Sequence, residues 1–434
     1  MDRRNFLAGA AAVAAVPVPA LPQANEKKIR LGVIGMGRRG RNNLTSVLRR
    51  DDIDVVAFSE VYKPNLDQAL ELVPDAKVYS DFRDLIADDS IDAVLVTTPD
   101  HWHAYMTVEA VKAGKDVYVE KPISVTVHEG QMMVKAARKY NRIVQVGTQQ
   151  RSGAHFQKVA EIIKAGTIGD IGFVRTWNYS NQTPEGIGNP PDEAAPDNLD
   201  WDMWLGPAAE RPYNANRFGV QPDRYSDFRW FWDYAGGMMT DWGIHLLDIV
   251  LMATDEPGPT AITASGGKYV IKDNRDTPDT MLATFEFPTF ACTYENRITN
   301  GQSMFEQNYG ILFHGTEGTL FVDRSRWEII PERQSVGGRR SGMSEERMPS
   351  HAGRASDNST DNHWEDFVQA IRTRENPVSD ILIGHRSTAM ALLGNVALRS
   401  KQRVDWDPIK ETTNNKEAQT FLQKKYRDPW KLEL

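Results

Sequence analysis

With 434 residues, 40% of them apolar, and a formal net charge of −8, the chain has material for two or three packed domains. It lacks the basic patch or run that nucleic acid or an anionic membrane surface would need, so a neutral small molecule fits better as the main partner. The single cysteine, Cys292, excludes an intramolecular disulfide framework and a cysteine metal cluster, and its apolar, strand-like setting makes it a core residue.

The first residues read as a signal and not as part of the fold. Arg3-Arg4-Asn5-Phe6-Leu7 precedes an alanine-rich run, Ala8 to Val18, and small residues to Ala24, a pattern that resembles a twin-arginine export signal. The run is too short to span a bilayer, so stable membrane insertion is not expected. Residues 1–24 are assigned to this signal, and a periplasmic or otherwise exported protein is the expectation. The twin-arginine route carries folded proteins, which suits one that travels with a cofactor in place.

Residues 29–150 alternate apolar strands with amphipathic helices, the pattern of a doubly wound parallel sheet. The first strand, 29–34, runs straight into GxGxxG at Gly35, Gly37 and Gly40, with Met36, Arg38 and Arg39 between them. The first glycine permits the turn, the second lets the backbone approach a pyrophosphate, and the third lets the helix pack on the strand. Glu60 lies 20 residues past Gly40, at the end of a second strand over 53–59. A carboxylate there accepts hydrogen bonds from the adenosine ribose and repels a 2′-phosphate, so NAD is favoured over NADP. Helices are predicted over 40–49, 64–71, 81–87, 105–113 and 127–140, and further strands over 91–97, 117–119 and 143–146.

Ligands in such sheets bind at the carboxyl ends of the strands. Two post-strand segments therefore point at the cofactor crevice: Thr98-Pro99-Asp100-His101-Trp102-His103 and Glu120-Lys121-Pro122. His101 and His103 read as a surface turn or helix cap, and without a third ligand nearby no metal site is expected. Lys121, where strand ends converge, reads as an active-site residue.

A second unit is assigned to 151–400. A helix over 157–165 and a strand over 171–179 lead to residues 180–235, rich in Pro, Asn, Asp, Gly and Trp with no sustained period, which predicts a long functional loop region and not a packed element. Six of the 11 tryptophans fall between 177 and 242. Flat aromatic faces stack on sugar rings, and Trp177, Trp230 and Trp232 are the candidates for substrate binding. Gly236-Gly237 then opens a helix on which Asp241 and His245, four apart, share a face, the spacing of an acid-oriented base. Asp248, a turn further on, reads as structural. Strands over 261–265, 281–287, 291–298, 311–314, 319–322 and 327–330 alternate apolar and polar residues, as an antiparallel sheet with one wet face does. Residues 331–360 read as a mobile polar loop, helices are predicted over 363–373 and 387–399, and 401–434 is a polar tail containing Tyr426 and Trp430.

The combination of GxGxxG at Gly35 to Gly40, Thr98-Pro99, Glu120-Lys121-Pro122 and GGxxxDxGxHxxD from Gly236 to Asp248 resembles the glucose-fructose oxidoreductase and inositol dehydrogenase family, Gfo/Idh/MocA, from Ile29 to about Arg399. The resemblance implies an α/β protein: an N-terminal Rossmann domain, then a C-terminal α/β domain whose open, mainly antiparallel sheet carries the substrate site and the oligomer interface. It places Lys121, Asp241 and His245 at catalytic positions and Gly35, Gly37, Glu60, Thr98 and Glu120 against the cofactor. Met36, Arg38, Arg39, Gly40, Pro99, His103 and Lys121 complete the expected NAD contacts. The implied activity is hydride transfer to or from a secondary hydroxyl of a sugar, polyol or glycoside, with His245 as base oriented by Asp241 and Lys121 on the substrate oxygen. The alternatives are an NAD-dependent glycosidase working by transient oxidation and elimination, and a non-catalytic sugar-binding protein. An open sheet predicts face-to-face pairing into a homodimer or homotetramer.

Overall fold

A computed structural model describes residues 27–220, 226–336 and 343–434; the expected export signal, 1–24, lies outside them. Six short strands, β1 (Ile29–Ile34), β2 (Ile53–Ser59), β3 (Lys77–Tyr79), β4 (Ala93–Val96), β5 (Asp116–Val119) and β6 (Val144–Val146), pair in parallel in the order β3-β2-β1-β4-β5-β6. Every residue of β4, β5 and β6 is buried, as strands covered on both faces require. The order reverses between β1 and β4, which opens a crevice at their carboxyl ends. The covering helices are α1 (Arg38–Val47), α2 (Lys63–Leu72), α3 (Phe82–Ala87), α4 (Asp100–Lys112) and α5 (Val127–Lys139). Helix α4 starts five residues before the predicted 105, because Pro99 serves as its N-cap and Asp100 occupies its first turn. His101, Trp102 and His103 are consequently buried helix residues and not a surface turn. Strand β3, Lys-Val-Tyr, is too short to show a period, and its first two residues are exposed.

After α6 (Ala154–Lys164) and the long strand β7 (Ile171–Tyr179) comes the stretch expected as an unpacked loop. It is packed. A two-residue ladder, β8 (Asp192–Glu193) with β9 (Tyr213–Asn214), and the short helices α7 (Trp201–Leu205) and α8 (Ala215–Phe218) surround a core of Trp204, Leu205, Phe218, Trp230, Phe231 and Tyr234. Periodicity fails here because the core is aromatic, drawn from one-turn elements, and closed by long-range contacts.

The chain continues through α9 (Ile244–Thr254), β10 (Ala261–Gly267), β11 (Thr280–Glu286), β12 (Ala291–Arg297), β13 (Tyr309–Gly315), β14 (Gly318–Val322), β15 (Arg326–Pro331), β16 (Arg333–Val336), β17 (Met343–Glu346), β18 (His351–Arg354), α10 (Ser359–Thr373), α11 (Ile381–Ser400) and β19 (Val404–Asp405). Eight of these strands join β7 in one nine-stranded sheet, β18-β15-β14-β13-β7-β12-β11-β10-β19, in which only β7 with β12 runs parallel among the described pairs. Phe285, Cys292, Tyr294, Phe313 and Leu320 point inward against α6, α9 and α11, while Leu282 on the other face is 46% exposed. The expected loop over 331–360 instead carries the β16–β17 hairpin and edge strand β18, apart from 337–342, outside the described residues. Helix α11 is apolar enough over 20 residues to cross a membrane, but most of it is buried in this core. Helix α10 turns back onto the first domain, stacking Trp364 on Tyr118 at 4.4 Å.

Candidate active site

The turn after β1 is built by backbone requirements. Gly35 has φ +88°, which a side chain disfavours, and a Cβ on Gly40 would run into the Gly35 carbonyl and come within 2.9 Å of Thr97 Oγ1. At Gly37 a Cβ would meet nothing within 4 Å, and the N-cap of α1, Gly37, brings no side chain to the helix start. That is the room and the donor set of a pyrophosphate site. Glu60 stands beside it, its Oε2 accepting from the Met36 N–H at 2.6 Å and its Oε1 from the Val61 and Tyr62 N–H groups at 2.8 and 2.9 Å. Burial raises its pKa against those three donors. The residues present therefore fit a dinucleotide.

The two post-strand segments are tied together. The His103 ring lies between the Pro122 carbonyl, 2.7 Å from Nδ1, and the Thr98 carbonyl, 2.8 Å from Nε2. Arg39 donates to Glu120 Oε1 at 2.6 Å and Asn43 donates to it at 3.0 Å. Burial alone would raise the Glu120 pKa, but Arg39 and Asn43 outweigh it and hold the carboxyl ionised.

From this turn a cavity of about 270 Å³ extends to Lys121, Asp241 and His245, lined also by Gly35, Gly37, Arg38, Arg39, Thr98, Pro99, His103 and Glu120. Met36 and Gly40 support the turn from behind. Lys121 Nζ donates to Asp241 twice, to the backbone carbonyl at 2.8 Å and to Oδ1 at 3.0 Å. Arg229 takes the other carboxylate oxygen, Oδ2, at 2.5 Å. Burial opposes ionisation of Asp241, but Arg229 and Lys121 win and its pKa is lowered. The expected orientation of His245 by Asp241 is therefore corrected: the Asp241 oxygens go to two cations brought from other elements, and no hydrogen bond joins the carboxylate to the His245 ring. Asp241 sits on a π-helical turn, Met239–Gly243, directly before α9. Buried His245 leaves Nδ1 without a hydrogen-bond partner, and Gln150 holds its backbone carbonyl at 3.1 Å. Burial, then the charges of Lys121, Arg324 and Arg39, pull its pKa well below the ordinary value. Asp248 lies outside the cavity, fully buried, with Arg151 at 2.8 Å and Ser387 at 2.6 Å.

None of the three expected substrate tryptophans lines this cavity. Trp177 is fully buried on β7 and donates to the Gln307 carbonyl at 3.0 Å. Trp230 carries Arg275 on its face at 4.4 Å inside the insert core, and Trp232 carries Arg399 at 4.9 Å. The aromatic lining comes from Phe82, Trp102, Trp204, Phe218, Phe228 and Trp242 instead. Counting tryptophans cannot tell core from pocket, because both use the same flat apolar faces.

Sequence reasoning also missed Asp100, Arg229 and Arg324, all of which line the cavity. Asp100 lies in the Thr98–His103 segment that the post-strand criterion aims at the crevice, yet nothing in its spacing sets it apart there as a site residue. It is 9% exposed, and burial, then the Asp241 charge, raise its pKa to about 7 against Lys121 and Arg229. Arg229 and Arg324 carry no local signal. Among the described residues no group of three His, Cys, Asp or Glu side chains is placed to hold a metal ion.

Residues 29–148 match the NAD-binding Rossmann fold of the Gfo/Idh/MocA oxidoreductase family, and residues 163–273 and 351–432 match that family's C-terminal α/β domain. The chain belongs to the Gfo/Idh/MocA oxidoreductases. It is 33% identical over 156 residues to myo-inositol 2-dehydrogenase of Thermotoga maritima, covering 36% of this chain and 47% of that protein. It is 28% identical over 203 residues to a glycosyl hydrolase family 109 protein of Shewanella baltica, covering 39% and 44%. The chain thus spans about half the length of the curated relatives it matches. Among solved structures, the WlbA dehydrogenase of Bordetella pertussis, in complex with NADH and UDP-GlcNAcA, superposes with a TM-score of 0.64 at 19% identity, over 88% of this chain and 99% of that one. At that identity the likeness is one of fold.

Proposed function

We propose that the protein is an NAD-dependent oxidoreductase acting on a secondary hydroxyl of a sugar, polyol or glycoside, exported by the twin-arginine route with its cofactor retained. The observation that carries this reading is the cavity that begins at the pyrophosphate turn and ends between Lys121 Nζ and His245. Bound NAD supplies the hydride acceptor. Two of the three Lys121 ammonium protons go to Asp241, which leaves one for the substrate oxygen, where it stabilises the negative charge that develops as the hydroxyl becomes a carbonyl. His245, kept neutral by burial and neighbouring cations, has an acceptor nitrogen to take the hydroxyl proton. Glu60 supports NAD over NADP, because a 2′-phosphate would meet a buried carboxylate. Met203, Trp204, Phe218 and Val220 of the insert lie over the same cleft as Glu60 and Phe82, which supports slow cofactor loss. The exposed face of the nine-stranded sheet is the surface we assign to a homodimer or homotetramer.

A panel of sugars, polyols and glycosides, read by nicotinamide reduction, tests the reading. Lys121→Met and His245→Asn should each lower kcat by about 10²- to 10⁴-fold while leaving nucleotide content unchanged. Wild-type rates in both variants would overturn the assignment. The similarity to a glycosyl hydrolase family 109 protein keeps a second reading, glycoside cleavage through transient oxidation; aglycone released with no net change in nicotinamide would select it.

A further inference from the structure

The acid Asp241 reaches out of its own helix to two cations, and they come from different parts of the fold. Lys121 follows β5 of the Rossmann domain, whereas Arg229 belongs to the insert, on a single 3-10 turn over Asp227–Trp230. Arg229 is held in place as well as charged: its Nε donates to the Ser226 carbonyl at 2.9 Å, and its guanidinium lies 5.6 Å from the Phe228 ring. Phe228 and Ser226 line the cavity beside it, and the side chain is 14% exposed. Asp241 therefore accepts Lys121 on Oδ1 and Arg229 on Oδ2, and each cation fixes the orientation of the carboxylate for the other.

We infer that Arg229 is a positioning residue: through its ion pair with Asp241 it holds the carboxylate that aims Lys121 at the substrate oxygen, so the active site is complete only when the insert is docked over the cofactor cleft. The inference rests on the proposed role of Lys121. It gives the tryptophan-rich insert a second task besides roofing the cleft, because the element that covers the nucleotide also completes the charge network of catalysis. Without Arg229, Oδ2 would lose its anchor and the carboxylate would be free to turn about its Cβ–Cγ bond, so Lys121 would lose the fixed acceptor that directs its third proton. The groups facing this network include Lys121, Asp100 on α4, Asp227 beside Arg229, His245 on α9, Tyr294 on β12 and Lys424 in the tail.

The test uses the full-length protein with its bound nucleotide. Arg229→Met and Arg229→Gln should lower kcat by about 10- to 100-fold with nucleotide content unchanged and KM little altered. Loss of a cation beside two carboxyls raises their pKa values, so the acid limb of the pH–rate profile should move to higher pH in both variants. Arg229→Lys, which restores the charge, should return that limb to its wild-type position and recover part of kcat. A wild-type kcat and an unmoved acid limb in whichever neutral variant folds would overturn the inference, even if melting temperature fell. Lys121→Met separates the two levels: if it keeps full activity the proposed function fails, whereas an inactive Lys121→Met beside a fully active Arg229→Met sinks only the positioning role.

Discussion

The pyrophosphate turn and the tryptophan-rich insert border the same cavity, yet they are specified in opposite ways. From Gly35 to Gly40 the chemistry is done by backbone: a left-handed φ, a close approach of helix to strand and uncapped N–H groups, all set by six consecutive residues. In the insert the working groups are side chains whose partners lie far along the chain, Arg229 on Asp241 and the Trp204 ring beside the His101 ring at 5.3 Å. A site made of backbone geometry is written locally. A site made of side-chain contacts exists only once the fold has assembled it.

The comparison breaks most sharply at Gly40. Gly40→Val places a side chain on the Gly35 carbonyl, so the turn must open, and nucleotide affinity should fall on the order of a thousandfold by equilibrium dialysis. Retained affinity would mean that the turn is not the pyrophosphate site. The insert side is probed through the tail that fastens it. Arg427 donates to Asp202 at 2.6 Å and to the Gly206 carbonyl at 3.0 Å, and Trp430 packs edge-on against Trp102 at 4.8 Å and Tyr105 at 5.2 Å. Trp430→Ala should cost about 3 kcal/mol of stability. The Trp430→Ala protein purified without added cofactor should also lose nucleotide on dialysis, whereas the wild type should release about one per chain when denatured. A wild-type protein that is fully folded, nucleotide-free and active only with NAD supplied at every turnover would end the retention proposal.

The same contrast explains what the sequence disclosed. The parallel sheet, the glycine turn and the alternating second sheet were legible because strand periodicity and φ requirements act within a few residues. Asp241 and His245 were legible as residues but not as a pair: spacing says which side chains share a face, and it says nothing of Lys121 and Arg229 arriving to claim both carboxylate oxygens. Trp177 was misread for the converse reason. Its indole N–H has a carbonyl partner at 3.0 Å and its ring is fully buried, a setting that only the neighbouring strands create. The hairpin over β16 and β17 is mostly polar, and β16 is exposed along its length, so no hydrophobic pattern announced it.

Asp100 gives the smallest effect and the finest test, because it belongs to both worlds: its position after β4 is local, while its titration depends on the assembled charge network. Burial and the neighbouring Asp241 raise its pKa from 3.8 to about 7. Between those values the native state holds a proton that the unfolded chain has released, so stability contributed at this site is fully present at low pH and falls as pH rises through about 7. Above that the cost is constant. A shift of this size is worth up to about 4 kcal/mol, and Asn recovers part of it, since its amide still has to be buried. Asp100→Asn should therefore match the wild type in melting temperature near pH 5 and exceed it by about 2 kcal/mol of stability near pH 8. The gain depends on Asp241 remaining ionised between Lys121 and Arg229, so combining Asp100→Asn with Arg229→Met should change it, as coupled neighbours do. Equal differences at both pH values would show that Asp100 does not titrate in this range, and that the cavity holds its charges more loosely than the Lys121–Asp241–Arg229 distances indicate.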